Sequence, residues 1–289
     1  MSDTILTDSS LLSLAIANLQ VELRCNDQTL TDQLQARYRQ YLAPGTSHLT
    51  ADVHWTGRSH AGYLADASMT FADGTLYLAA PGYDGAVDVK QGRARLQLSS
   101  ADPASDVEYF LRVCIALLAF EHGGLLFHAA GIARKGRGYL FFGHSGSGKT
   151  TVARLSPDDL VLNDDLVLLM PGGQGWTVHA TPFWNPSQLS PSTLRQAQGS
   201  GQHPTNPTSA PLAAIFRLVQ AQEVRLEEMG QGEALAELVA NVPVIPADPT
   251  RSHELLELGQ RLLRSVPIHK LHFLPDASFW SVVETQEDW

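Results

Sequence analysis

The octapeptide Gly143-His144-Ser145-Gly146-Ser147-Gly148-Lys149-Thr150 constrains this chain more than any other feature, because it fits G-x-x-x-x-G-K-[ST] at every fixed position. Glycines and small residues let successive backbone N–H groups curl around a polyphosphate. A lysine and a hydroxyl follow at the spacing that reaches the outer phosphates and a Mg²⁺ ion. The flanks suit the pattern. Tyr139-Leu140-Phe141-Phe142 is an apolar strand running into the loop, and a helix from Gly148 to about Leu155 runs out of it, adding its positive dipole end to the amides. The expectation is a nucleoside triphosphate held by residues 143–150 with Thr151 beside them, Lys149 on the β- and γ-phosphates and Thr150 on the metal. His144, at a variable position, is read as loop filler.

Asn163-Asp164-Asp165 follows Lys149 after about fourteen residues, between Leu160-Val161-Leu162 and Leu166-Val167-Leu168-Leu169. A carboxylate at a strand end can hold Mg²⁺ directly or through water, and a neighbouring one can take the proton of an attacking hydroxyl. Adjacent residues of an extended chain point to opposite faces, so two such carboxylates would hardly do the same job. Asp164 and Asp165 are therefore both catalytic candidates, with Asp164 the candidate metal ligand, although Asn-Asp-Asp is also ordinary turn chemistry. The crossover is short, and a strand (125–133), a tight turn (134–138) and a second strand precede the loop. An ATPase motor or a GTPase usually begins with an isolated strand and places its acidic residue farther on.

Elsewhere the sequence reads as scaffold. Residues 1–103 are short strands and turns with one helix, 28–42, in which Leu30, Leu34, Tyr38 and Leu42 recur every four residues. Asp73-Gly74 marks a hairpin between 69–71 and 76–78, and 86–89 and 94–98 alternate around Gln91-Gly92. A largely apolar helix, 107–121, opens at Ser105, whose spacing to Glu108 is that of a capping box. Later strands fall near 215–219, 224–227 and 268–273, with helices near 233–239 and 252–265. Residues 196–211, rich in Gly, Ser, Pro, Thr and Asn, read as a mobile surface loop. The organisation expected is a small α+β module over 1–103, followed by a domain over 104–289.

Twenty basic and thirty acidic residues leave a net charge of −10, a field that repels nucleic acid and anionic lipid, so an anionic substrate needs a local cationic pocket. Cys25 and Cys114 have no metal-type spacing and read as free thiols of a reducing cytosol. No basic segment precedes an apolar run at the N-terminus. The longest apolar stretch, residues 113–120, is far below the roughly 18–20 residues that cross a bilayer. A soluble, cytoplasmic protein is expected, with neither nucleic acid nor membrane as partner.

Three segments together resemble the HPr kinase/phosphorylase-like group: Leu126-Phe127-His128-Ala129-Ala130-Gly131, then residues 139–150, then Leu162-Asn163-Asp164-Asp165-Leu166-Val167. Weaker echoes are Thr181-Pro182-Phe183-Trp184 and Val266-Pro267-Ile268-His269-Lys270-Leu271. The likeness covers about residues 105–289 and is most specific over 128–167. It implies an α/β fold: a phosphoenolpyruvate-carboxykinase-like P-loop domain with a mixed sheet. It also implies a kinase using ATP and Mg²⁺ on a protein or small-molecule hydroxyl, with one of Asp164 and Asp165 as base. His128 would lie near the phosphates, or serve only as a satisfied histidine at a sheet end. The chain departs from that group at Thr151, where the kinases carry an acidic residue, and it lacks their glycine-rich downstream segment.

Among arginines that could stabilise a transferring phosphoryl group, Arg217, Arg225 and Arg251, the last is preferred because it follows a proline-rich loop. Phe183-Trp184 could wall a pocket or simply pack the core. His269 and His272 are three apart on a strand and make a poor metal pair. The expected activity is transfer of the γ-phosphoryl group of ATP to a serine of a protein or peptide, free serine or a polyol, and a homo-oligomer is compatible with it. The competing reading is a nucleotide-binding regulatory or assembly protein without phosphotransfer. A carboxykinase-type or purely hydrolytic enzyme is disfavoured because no downstream His/Lys metal constellation is present.

Overall fold

A computed structural model describes residues 10–57, 67–173, 175–184 and 209–285. The architecture is α/β with two mixed sheets. The chain divides between Glu121 and His122 into two compact units.

The first unit is a seven-stranded sheet in the order β1-β2-β3-β7-β6-β5-β4. Its strands are β1 (Ser10–Ile16), β2 (Leu19–Cys25), β3 (Leu49–Trp55), β4 (Ser68–Ala72), β5 (Thr75–Ala80), β6 (Tyr83–Asp88) and β7 (Arg93–Leu98). β3 runs parallel to both β2 and β7, and the other pairs are antiparallel. Asp73 and Gly74 both take positive φ between paired Ala72 and Thr75, which is the turn that the Asp-Gly step predicts. Helix α1 (Gln28–Tyr38) is capped by Asp27, whose carboxylate accepts from Leu30 N at 2.8 Å. It stops short of Leu42, because Ala15 N donates to Tyr41 O and Ala43 N to Ser13 O. That stretch therefore lies against the edge of β1, and backbone pairing overrides the four-residue spacing that included Leu42.

Helix α2 (Pro103–Glu121) packs on α1 and on β2, β3 and β7. The capping box expected of Ser105 and Glu108 does not form. Asp102 accepts from Ser105 N at 3.4 Å, while Glu108 pairs with Arg37 at 3.1 Å and Arg112 at 2.7 Å. Two cations nearby outcompete one backbone N–H for the carboxylate. Cys25 and Cys114 are free and buried.

The second unit is built on β8 (Leu125–Arg134), β9 (Arg137–Phe142), β10 (Leu160–Asn163), β11 (Leu166–Gly172), β12 (Gly175–His179), β13 (Ser209–Gln220), β14 (Arg225–Glu228) and β15 (Ile268–Phe273). Its helices are α3 (Lys149–Arg154), α4 (Gln231–Ala240), α5 (Ser252–Ser265) and α6 (Phe279–Glu284). β8 pairs through its first half with β11 and through its second with β9 and β10. β13 pairs first with β12 and then with β9 and β15. The pairings β8-β9-β13-β12-β11-β8 thus close a ring. Two glycines permit the closure: a Cβ at Gly138 would stand 2.4 Å from Val178, and one at Gly131 2.8 Å from Val167. Residues 209–211, assigned from sequence to the surface loop, open β13. The rest of that segment, 196–208, lies outside the described residues.

Beneath β9 an aromatic cluster fixes the strand that ends at Gly143. Phe141 stacks on Phe216 at 5.4 Å and meets Phe279 and Trp280 edge-on at 5.8 and 5.6 Å. Among the described residues no helix is long and apolar enough to cross a membrane.

Candidate functional site

Phe142 pairs with Ala129 on one side and Arg217 on the other, so the chain enters the 143–150 loop from the middle of the sheet. The loop closes on itself through Ser147 N donating to His144 O at 3.1 Å, and Gln220, the last residue of β13, donates to Gly146 O at 2.8 Å. Two of its glycines are forced. Gly148 has φ +112 and a Cβ there would lie 2.4 Å from Phe273; Gly143 has φ +149 and would meet Ser147 at 2.9 Å. His144, Ser145 and Gly146 are exposed, whereas Ser147 is buried and its hydroxyl has no hydrogen-bond partner among the described residues. Lys149 Nζ donates to Gly143 O at 2.9 Å and to His144 O at 3.4 Å, which holds the ammonium over the loop. Burial pushes the Lys149 pKa down, and the charges of Asp165 and Asp164 oppose that shift. The lysine of the loop and the acidic pair therefore share one electrostatic environment.

The acidic pair owes its place to strand register. β10 and β11 both run antiparallel to β8, with Asn163 opposite Gly131 and Leu166 opposite His128. A register shift between Val161 and Asn163 makes room for one extra residue. Asp164 and Asp165 thus fall in the bend between these two pairings, alongside the stretch of β8 whose Ala129 pairs with Phe142. Two strand spacings, about 10 Å, separate the root of the loop from the carboxylate turn. Asp164 is 1% exposed. Asp165 is partly exposed, and its Oδ1 lies 3.0 Å from His128 Nε2. The backbone N–H of His128 donates to Asn241 O at 2.9 Å, tying β8 to the end of α4.

Asn163 fixes this turn and was not singled out by the sequence. It is fully buried; its Oδ1 accepts from Asp165 N at 2.7 Å and Leu166 N at 3.0 Å. Its Nδ2 is shared among Thr181 O, Thr181 Oγ1 and Phe183 O at 3.1, 3.2 and 3.3 Å. The signal available was a lone amide ending an apolar strand, but its partners lie some twenty residues away. Phe183 is fully buried and Trp184 packs on Ala153 and Val161, so both serve the core.

Thr150 and Thr151 are half-buried on the first turn of α3. Thr150 and Asp164 offer a hydroxyl and a carboxylate, hard oxygen donors of the kind Mg²⁺ accepts. Among the described residues no group of three or more His, Cys, Asp or Glu could hold a metal ion. Arg251 ends a short turn, Pro249–Arg251, with its Nε 3.8 Å from Asp248, a buried carboxylate that also accepts from Thr250 N and Oγ1. Of the other candidates, Arg217 pairs with Glu237 at 2.7 Å and Arg225 with Glu223 and Glu227. His272 binds Glu227 at 2.9 Å.

No curated protein matches the chain. The resemblance to HPr kinases is overturned: over residues 107–286 the chain matches the family described as SynChlorMet cassette protein ScmC, not an HPr kinase family. The segments that suggested HPr kinases include a glycine-rich turn between a strand and a helix and an acidic pair in the bend between β10 and β11. Those residue types follow from local backbone geometry and charge, and such constraints recur without common membership. The match spans well over half of the sequence, and the chain belongs to the ScmC family.

Proposed function

We propose that the second unit binds ATP with Mg²⁺ through residues 143–150 and transfers the γ-phosphoryl group to an alcohol. The observation that carries this reading is the convergence of Lys149 with Asp164 and Asp165, the latter held by His128 at 3.0 Å. Buried charges of opposite sign are costly to assemble, and a cation beside two carboxylates suits a site where a trianionic group is handled. In this reading the loop amides and Lys149 hold the phosphates, and Thr150 and Asp164 hold the metal, which would neutralise charge on the β- and γ-phosphates. Asp165, oriented by His128, accepts the proton of the acceptor hydroxyl. The acceptor oxygen then bonds to the γ-phosphorus as the bond to the β–γ bridging oxygen breaks, and ADP leaves. Arg251 is the arginine nearest in sequence to the α4 terminus that His128 binds, and it is the candidate for charge stabilisation. The net charge of −10 disfavours a polyanionic acceptor and suits a serine-bearing peptide, free serine or a polyol.

The test is incubation with γ-labelled ATP, Mg²⁺ and those three acceptor classes. Label should appear on one of them, and Asp165→Asn should abolish transfer while nucleotide binding persists. If Lys149→Ala abolishes nucleotide binding and no acceptor is ever labelled, the chain is a nucleotide-dependent regulator instead.

A further inference from the structure

Asn163 and Thr181 form a closed polar clamp inside an otherwise apolar layer. Thr181 is fully buried; its Oγ1 donates to Leu166 O at 2.6 Å and accepts from Asn163 Nδ2 at 3.2 Å and Phe183 N at 3.3 Å. Asn163 in turn holds the N–H groups of Asp165 and Leu166. The backbone carrying the two carboxylates is therefore bonded on both sides of the turn to residues 181–183. The next residue, Trp184, packs on Ala153 of α3, the helix that leaves the 143–150 loop, and on Val161 of β10. One continuous path of contacts thus joins the acidic pair to the loop's helix: Asn163, Thr181, Phe183, Trp184, Ala153.

A turn of two adjacent aspartates has no intrinsic reason to hold a single shape, since mutual repulsion favours spreading it. Bonds from a buried amide cost its desolvation and are retained when they specify geometry. We propose that Asn163 and Thr181 are positioning residues that set Asp164 and Asp165 against the loop, and that Trp184 transmits the position of α3 to them. This rests on the reading of the site as one for a nucleotide and Mg²⁺. The clamp touches neither ligand. Its effect is on where the metal-side carboxylate stands relative to the phosphates, and a displacement of about 1 Å there costs on the order of 100-fold in transfer.

The experiment compares wild type, Thr181→Val, which keeps the shape and removes the hydroxyl, and Thr181→Ser, which restores it. A fluorescent ATP analogue is titrated with and without Mg²⁺, thermal unfolding is followed, and transfer is measured on the acceptor found active. Thr181→Val is expected to bind the analogue like wild type without Mg²⁺, to lose the tightening that Mg²⁺ brings, and to lose about 100-fold in kcat with nucleotide KM unchanged. Thr181→Ser should recover both. The proposal is overturned if Thr181→Val keeps the Mg²⁺ effect, or if it loses Mg²⁺-free binding in parallel with its melting temperature, which is the signature of a merely structural role. Should wild type itself bind no nucleotide, the reading of the site falls and this proposal with it. Should it bind with Mg²⁺ yet transfer nothing, only the transfer reading falls, and the Mg²⁺ comparison still decides the clamp.

Discussion

The two units bury their strands in opposite ways. In the first, β2, β5 and β7 alternate buried and accessible positions residue by residue, so one face of the sheet is covered and the other is not. In the second, β8, β9 and β11 are buried over runs of three to five consecutive residues, because the ring of pairings folds the sheet over itself. Their buried titratable groups differ in the same sense. The first unit buries groups that stay neutral: burial pushes the Cys25 thiol up to about 11 and raises Cys114, Tyr38 and Tyr83 above their ordinary ranges. The second brings Lys149, Asp164 and Asp165 together, and buries Asp159 against Arg134 at 2.7 Å and Asp248 beside Arg251. Desolvated charge opposes stability unless something offsets it, so the contrast marks the second unit as the one that gathers buried charge.

Replacing Lys149 is the hardest test of that contrast. If residues 143–150 hold ATP as proposed, Lys149→Met should weaken its binding by about 100-fold or more, since the cation assigned to the outer phosphates is gone. The fold should not suffer. Burial lowers the Lys149 pKa below the ordinary 10.5, so the folded protein at neutral pH carries an ammonium that the unfolded chain accommodates better. That penalty is fully present below the folded-state pKa and fades as pH rises toward 10.5. The variant should therefore melt no lower than wild type at pH 7, with any advantage shrinking in alkaline buffer. A marked loss of melting temperature at pH 7 would mean that the charge belongs to the scaffold after all.

The first unit is tested through its thiols. With its pKa moved from 9.0 to about 11, Cys25 carries about 100-fold less thiolate than an unperturbed thiol, before its burial is counted. Neither Cys25 nor Cys114 should react with iodoacetamide at pH 8 in the native protein, and both should react in denaturant, read by intact mass. Native labelling at either would break the contrast between neutral and charged interiors.

Packing sharpens the comparison at smaller scale. Gly138→Ala in the ring places a methyl 2.4 Å from Val178 and 3.2 Å from Pro211 O, an overpacking worth about 1–3 kcal/mol. Gly85→Ala in the one-sided sheet meets Phe110 at 3.2 Å and Leu78 at 3.3 Å, where side chains can give way, and should cost less. Chemical denaturation of both variants measures the difference, and equal losses would remove the distinction between a closed and an open layer.

What could be read from the sequence follows the range of the interactions involved. Local devices were legible: the Asp73-Gly74 hairpin, the turn at Lys135-Gly136, whose residues both take positive φ, and the strand, loop and helix around residues 143–150. The helix through Leu42 and the Ser105–Glu108 cap failed because β1 and Arg37, partners distant in sequence, decide those places. β12 and α6 escaped notice. β12 is only five residues long and buries just Trp176 and Val178 between β11 and β13, and α6 is six residues long and packs through Phe279 and Trp280 in the aromatic cluster. Within the site, residue types showed that Asp164 and Asp165 were candidates, while the amide of Asn163 that shapes their turn became visible only through Thr181 and Phe183. Family membership was misjudged for the same reason, since the stretch with the strongest signal is the one most constrained by local geometry.

The smallest expected effect concerns strain beside the site. Among the described non-glycine residues, positive φ in the first unit falls on Ala17 and Asp73, both in hairpin turns, and in the second on Lys135, also in a hairpin turn, and on Val244, at φ 70 and ψ −57. There Ile245 N donates to Pro243 O at 2.8 Å, closing a three-residue turn just after Asn241, whose carbonyl holds His128. A β-branched residue in that conformation costs about 1–3 kcal/mol. Val244→Gly removes the strain, loses part of a half-buried side chain and adds about 0.5–1 kcal/mol of unfolded-state freedom, so its net effect should lie between neutral and about 1 kcal/mol stabilising. Val244→Ala keeps the strain and still loses the contacts, so it should destabilise. The opposite signs are the measurement, by thermal or urea unfolding of the two variants side by side. If glycine and alanine destabilise alike, the turn is held by its valine contacts, and the second unit stores no more backbone strain than the first.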